Sequence, residues 1–150
     1  MNTSRMLELF KDNQLTYASR MEIAHMFKES NDETIVPHLI EEISNNTNNH
    51  SSSELIYILG HFDCSGLFEK VFMWSLSKNQ EVSDEAVDLL QSLFPTNEQY
   101  EKCMNYLDLV EKSNADDAQY TDFLKALREV MMTFTMKEYN HGEDCQSYLH

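Results

Sequence analysis

Glycine and proline are so scarce in this chain that it can build few tight turns. Only 3 Gly and 2 Pro occur among its 150 residues, whereas a β-rich fold needs these residue types in its many turns. Between the few turn signals, apolar residues recur three and four positions apart, which is the period of an amphipathic helix. The sequence therefore predicts an all-α protein.

Capping patterns separate the predicted helices from one another. Residues 51–53 with Glu54 predict one helix start, and residues 83–85 predict another. Residues 96–98 and the pair Asp116-Asp117 predict the starts of the last two helices. The polar run 45–53 looks like a loose loop, so the helices divide into hairpins on either side of it.

The helices repeat along the chain. The apolar positions that begin at Ile35 and Leu39 recur at Leu67 and Val71, an offset of 32 residues. Two helices per unit, at a period in the low thirties, are typical of an α-solenoid, whose units bury their apolar faces against one another. The alternative is an irregular helical bundle in which this period arises by chance.

Three short segments resemble HEAT-type repeat proteins. Residues 32–40 (DETIVPHLI) resemble the start of a HEAT second helix, and residues 59–63 (LGHFD) the turn between the two helices of a unit. Residues 86–90 (AVDLL) resemble a first helix. The resemblance covers about residues 19–107 and departs from the pattern at Pro95. It implies a HEAT-like α-α superhelix of three to four helical hairpins.

The length of the chain suits one compact domain over residues 1–150. The end of the chain, residues 139–150, contains Gly142 and is predicted to be a mobile tail. The three cysteines are odd in number and widely spaced, which argues against a disulfide framework and for a reducing compartment. No apolar run is long enough to cross a membrane, so we expect a cytoplasmic protein.

Acidic residues dominate the charge of the chain. It has 26 acidic residues against 11 Lys and Arg, a formal net charge of −15. Residues 80–122 hold eleven acids and only Lys102 and Lys112 against them. Such a surface repels nucleic acid and anionic lipid and attracts a basic protein. We therefore expect a protein partner, with neither nucleic acid nor membrane bound.

The second helices of the predicted repeats carry a candidate partner-binding surface. Trp74 and Met73 follow the apolar set of one repeat, and Tyr106 occupies the equivalent place in the next. Exposed aromatic residues with an acidic rim are typical of protein interfaces. The alternative is that Trp74 and Tyr106 lie at the edge of the core. The predicted surface comprises Glu41, Glu42, Glu69, Met73, Trp74, Glu101, Tyr106 and Asp108.

No constellation of residues typical of an enzyme is found. The sequence has no phosphate-binding glycine loop and no GxSxG, HExxH or CxxC motif. Adjacent carboxylates on a helix, as at Glu41-Glu42, point about 100° apart and do not converge. The pairs Asp84-Glu85 and Asp116-Asp117 are explained by helix capping. We expect no catalytic residues and no cofactor.

A metal site would need ligands from the end of the chain. His141, Cys145 and His150 could join Cys64 or Cys103 around a metal ion. They lie in the predicted tail, where ligands are poorly held, so we expect no bound metal. His25, His38 and His61 are interpreted as helix-surface or turn residues.

Short acidic HEAT-like domains resemble the immunity proteins of bacterial toxin systems, including those of contact-dependent growth inhibition. That resemblance implies a cytosolic protein that binds one cognate toxin, often a nuclease such as an RNase, and blocks it. It also implies a monomer or a 1:1 complex with the toxin. The alternative is a cytosolic adaptor or scaffold that uses the same surface to bind a basic cellular protein.

Overall fold

The computed structural model of this chain describes the backbone of residues 2–149 and the side chains of residues 2–135. Within that part, the regular elements are eight α-helices and one short 3₁₀ helix, with no strand. The prediction of an all-α protein is confirmed.

The helices follow one another with short connections. They are α1 (Thr3–Phe10), α2 (Tyr17–Glu29), α3 (Val36–Asn45), α4 (Ser51–Leu59), α5 (Phe68–Ser75), α6 (Gln80–Gln91), α7 (Asn97–Ser113) and α8 (Ala118–Leu149). The 3₁₀ helix Glu33–Ile35 leads directly into α3. Gly66 precedes α5 with a φ of 86°, a left-handed conformation that a residue with a side chain rarely adopts.

Two of the predicted helix starts are confirmed. The Thr96 hydroxyl accepts a hydrogen bond from the backbone N–H of Gln99, whose side chain accepts one from the Thr96 N–H in return. This reciprocal pair is a capping box, which satisfies two N–H groups that α7 leaves open. The Asp117 carboxylate accepts from the Tyr120 N–H at the start of α8.

Two other predicted starts are wrong because each helix begins earlier. Asn79 caps α6 by accepting from the Val82 N–H, so residues 83–85 lie inside the helix. In α4 the serines form the first turn instead of a cap, and Ser52 donates to the Asn46 carbonyl at 2.8 Å. The polar loop is correspondingly shorter than residues 45–53. The Asp84-Glu85 pair therefore has no capping role, and its charges need another explanation.

The chain forms two compact units, Met1–Ser92 and Leu93–His150. The prediction of a single domain over residues 1–150 stays a prediction. In the first unit α4 contacts both α2 and α6. Helix α3 packs against α4, and α5 packs against α6. The core of this unit consists of fully buried apolar side chains, among them Phe10, Phe27, Ile35, Leu39, Ile56, Leu59, Phe72 and Leu90.

The pairing of neighbouring helices in the first unit fits an irregular helical bundle, and the HEAT-like superhelix stays a prediction. In the second unit α7 packs against α8. Its buried residues are Cys103, Leu107, Tyr120, Leu124, Leu127, Met131 and Phe134. The backbone of α8 is helical to Leu149. Residues 139–149 of the predicted tail 139–150 therefore continue a helix, and the mobility of the tail stays a prediction.

Candidate protein-binding face

The predicted anchor Trp74 lies in the core. Its side chain is 2% exposed, and its indole N–H donates to the Ser44 hydroxyl at 3.3 Å. This placement removes Trp74 from the predicted partner-binding surface and supports the alternative that it is an edge-of-core residue. The neighbouring Met73 points outward and is 45% exposed. The physical reason is helical geometry, since adjacent residues on α5 point about 100° apart.

The remaining predicted acids of the first unit differ in their environments. Glu41 is exposed, whereas Glu69 and Glu42 are half-buried. The Glu42 carboxylate lies 2.7 Å from a guanidinium nitrogen of Arg20, so its charge is compensated within the fold. This leaves Glu41 and Met73 as the most exposed members of the predicted surface in this unit.

In the second unit Glu101 and Tyr106 are exposed, but the charge of Asp108 is compensated. The Arg128 guanidinium donates to Asp108 and lies 2.8 Å from Glu111. The hydrogen bond to Asp108 raises the pKa of Arg128 above its ordinary value. Because Arg128 lies outside residues 80–122, the charge counted over that stretch overstates the negative field on α7.

Helix α6 carries an acidic face whose carboxylates form no ion pair within residues 2–135. Glu81, Asp84, Glu85 and Asp88 recur at i, i+3, i+4 and i+7, so they lie on one side of the helix. The opposite side is buried and apolar, with Val82, Ala86 and Leu90 fully enclosed. None of the four carboxylates forms an ion pair with any residue of the part whose side chains are described, 2–135. We call these four residues the α6 acidic face.

A groove of about 470 Å³ lies beside that face. We call it the α4–α6 groove, and it is lined by Lys28, Ile56, Tyr57, Gly60, His61, Glu85, Asp88, Leu89 and Ser92. Tyr57 is 58% exposed, and the ammonium of Lys28 stands 5.0 Å from the centre of its ring. A large exposed aromatic ring in a concave site next to two carboxylates is a favourable place for a cationic group.

Burial and the neighbouring carboxylates both act on Glu85. Partial burial raises the pKa of its carboxyl above the ordinary value, and the negative charges of Asp88 and Asp84 raise it further. In an isolated protein this crowding costs stability, because like charges one turn apart repel.

We expect Glu85→Gln to stabilise the isolated protein at neutral pH by about 0.2–0.5 kcal/mol, the size of one like-charge pair on a helix. A raised pKa in the folded state means that protonated Glu85 favours folding, and this contribution is lost as pH rises through the folded pKa. The stabilising effect of the substitution should therefore disappear in acid. Urea unfolding at pH 7 and below pH 4 measures it, and an equal gain at both pH values would contradict the explanation.

A second polar cluster joins α2 to α4. The Tyr17 hydroxyl donates to one oxygen of Glu54, and His25 Nε2 lies 3.0 Å from the other. Burial and the bond to Glu54 raise the pKa of Tyr17 to about 12. The bonds from Tyr17 and His25 lower the pKa of Glu54. At neutral pH the tyrosine is therefore a protonated donor and the glutamate an ionised acceptor, which is a structural tie between two helices.

We expect one tyrosine of the folded protein to ionise near pH 12, and Tyr17→Phe to remove that step from an ultraviolet titration. Glu54→Gln should lower the pKa of Tyr17 but leave it above 10.0, because burial remains its largest cause. The raised pKa stabilises the fold fully below pH 10 and progressively less as pH approaches 12. An unchanged titration in Glu54→Gln would show that the negative charge of Glu54 has no part in the shift.

The described side chains offer no metal site. No three His, Cys, Asp or Glu residues of the chain between 2 and 135 come close enough to share an ion. Cys64 and Cys103 are buried, and neither forms a disulfide bond within the described residues. The other candidate ligands, His141, Cys145 and His150, lie outside the described side chains. No helix within the described residues combines the length and apolar character needed to cross a membrane.

Sequence reasoning missed Tyr57 and the grouping of Glu85 with Asp88, and it interpreted His61 only as a helix-surface or turn residue. It placed the partner-binding surface on the second helices of the predicted repeats. The α4–α6 groove instead lies between α4 and α6, which are first helices in that prediction. The i, i+3, i+4, i+7 spacing of acids from Glu81 to Asp88 was a usable signal. No sequence pattern, however, indicated that Tyr57 would stand beside them, because α4 and α6 are brought together only by packing.

Comparison of the chain with known protein families, with curated proteins and with solved structures gave no match.

Proposed function

We propose that this protein is a cytoplasmic immunity protein, which binds one cognate toxin domain and neutralises it. In this proposal the toxin is a basic protein, most simply a nuclease such as an RNase, and the complex is 1:1. The observation that carries the proposal is the α6 acidic face, four carboxylates on one side of a helix that form no ion pair within residues 2–135.

The charge of such a face suits a nuclease as the partner. A nuclease that binds a phosphate backbone presents Lys and Arg around its active site, and carboxylates compete with phosphate for those side chains. Charge complementarity also accelerates encounter, since opposite fields steer two proteins together. An inhibitor that must capture a toxin before it damages nucleic acid benefits directly from fast association.

The exposed side chains next to the acids supply the second component of an interface. Tyr57 projects from α4 beside Glu85 and Asp88, and aromatic residues in concave sites contribute much of the free energy of protein binding. Met73 and Tyr106 are further exposed apolar residues, one in each unit. Catalysis is a weaker proposal for the same surface, because the sequence carries none of the enzyme motifs considered above.

The test is to express each gene adjacent to the gene of this protein, first alone and then together with the gene of this protein. We expect one neighbour to arrest growth when expressed alone, co-expression to restore growth, and the two products to form a 1:1 complex in size-exclusion chromatography with light scattering. If no neighbour is toxic, or growth is not restored, the immunity proposal is overturned. Stable binding to a non-toxic cellular protein would instead establish the adaptor.

A further inference from the structure

We infer that the α4–α6 groove is a receptor for an arginine side chain of the partner. The inference depends on the proposed function only for the identity of the partner. The groove's preference for a guanidinium group follows from its own lining and can be tested without any toxin.

Lys28 lines the α4–α6 groove, so the groove already accommodates one cationic side chain. The Lys28 ammonium stands 5.0 Å from the centre of the Tyr57 ring, which is within the range of a cation–π contact. Tyr57 is 58% exposed, so the ring also presents surface to solvent. A cation from outside would meet the same ring with two carboxylates beside it.

The carboxylates determine which cation fits best. Glu85 and Asp88 line the groove one helical turn apart and form no ion pair with any residue of 2–135, although Lys28 lines the same groove. A guanidinium group is planar, donates up to five hydrogen bonds and stacks on an aromatic ring while it bonds carboxylates side on. An ammonium group has no planar face, so it cannot stack on the ring and bond two carboxylates side on at the same time. The groove therefore favours arginine over lysine.

The apolar part of the lining suits the rest of an arginine side chain. Ile56 and Leu89 lie in the wall of the groove. Arginine carries three methylene groups before its charged head, and these pack on apolar surface while the head remains with the carboxylates. A volume of about 470 Å³ is ample for one such side chain together with water.

The experiment titrates the protein with a blocked Gly-Arg-Gly peptide and follows amide shifts by nuclear magnetic resonance. Peptides with lysine or citrulline in place of arginine are the matched probes, since citrulline keeps the shape and loses the charge. We expect arginine to shift the amides of Tyr57 and Leu89, lysine to bind several-fold more weakly and citrulline not to bind. Equal shifts with arginine and citrulline would overturn the inference.

Two variants of equal charge locate the site. Glu85→Gln with Asp88→Asn should weaken binding of the arginine peptide by about tenfold or more, because both carboxylates of the groove are lost. Glu81→Gln with Asp84→Asn makes the same change on α6 outside the lining and should weaken it far less. An equal loss in both variants would show that only the general field of α6 attracts the peptide, and would overturn the assigned site.

A third variant separates a receptor from a merely structural groove. Lys28→Met removes the internal cation that stands over Tyr57 and keeps an unbranched side chain in its place. We expect this variant to bind the arginine peptide several-fold more tightly, because Lys28 then no longer competes for the Tyr57 ring. Weaker binding would contradict the assignment of that ring to the guanidinium group. Arginine binding by the groove together with failure of the growth test would overturn the proposed function alone. Restored growth with no arginine binding would overturn this inference alone.

Discussion

We expect the Trp74→Ala variant to lose about 3–5 kcal/mol of its free energy of unfolding, the usual cost of truncating a large buried aromatic residue. Trp74 is 2% exposed, and its indole N–H donates a hydrogen bond to the Ser44 hydroxyl of α3. The substitution leaves a cavity and removes a hydrogen bond between α3 and α5. A loss of this size is a large share of the stability of an ordinary domain. Chemical denaturation followed by circular dichroism measures it.

Met73→Ala is the control for this prediction, because Met73 is adjacent in sequence and 45% exposed. Its unfolding free energy should change by less than about 0.5 kcal/mol, as is usual for exposed positions. Similar losses in the two variants would contradict the placement of Trp74 in the core and Met73 at the surface. Any effect of Met73→Ala on partner binding would then be interpretable as a loss of contact.

Reversing the two groove carboxylates should slow association with the partner about tenfold to a hundredfold at low salt. The change is Glu85→Lys with Asp88→Lys, which places two positive charges where the proposal requires negative ones. Because steering is electrostatic, the difference from the unmodified protein should shrink as the salt concentration rises. Stopped-flow or surface-based kinetics at several salt concentrations measures the association rate.

The same double reversal at Glu8 and Glu22 tests whether location or net charge matters. Both are exposed acids of the first unit that do not line the groove. This control changes the net charge equally and should slow association much less. Equal slowing would assign the effect to net charge, and no slowing in either variant would remove the α6 acidic face from the interface. Circular dichroism of each variant confirms that it is folded.

Reversal of Glu101 and Asp108, which the sequence alone would have suggested, is a less selective experiment. Arg128 donates to Asp108, so a lysine there would face an arginine and disturb the contact between α7 and α8. An association effect would then be mixed with a structural one. Tyr106→Ala tests the exposed surface of α7 with less disturbance, because Tyr106 projects outward.

The helical class of this protein could be read from its sequence because the responsible interactions are local. Apolar residues spaced three and four apart form a stripe on a helix whatever the helix packs against, and Thr96 with Gln99 closes a capping box over four residues. The same locality explains why one predicted helix start was wrong. Residues 83–85 carry a capping pattern, but Asn79 stands earlier and begins α6 first.

The candidate site depended on contacts between residues far apart in the chain. The sequence determined that four acids from Glu81 to Asp88 share one side of a helix, since that follows from 3.6 residues per turn. Only the tertiary structure brought Tyr57 and Lys28 to those acids, enclosed Trp74 and set Arg128 beside Asp108. The physical reason is that packing, not periodicity, decides which stripe each helix meets, and therefore which charges remain without a compensating partner.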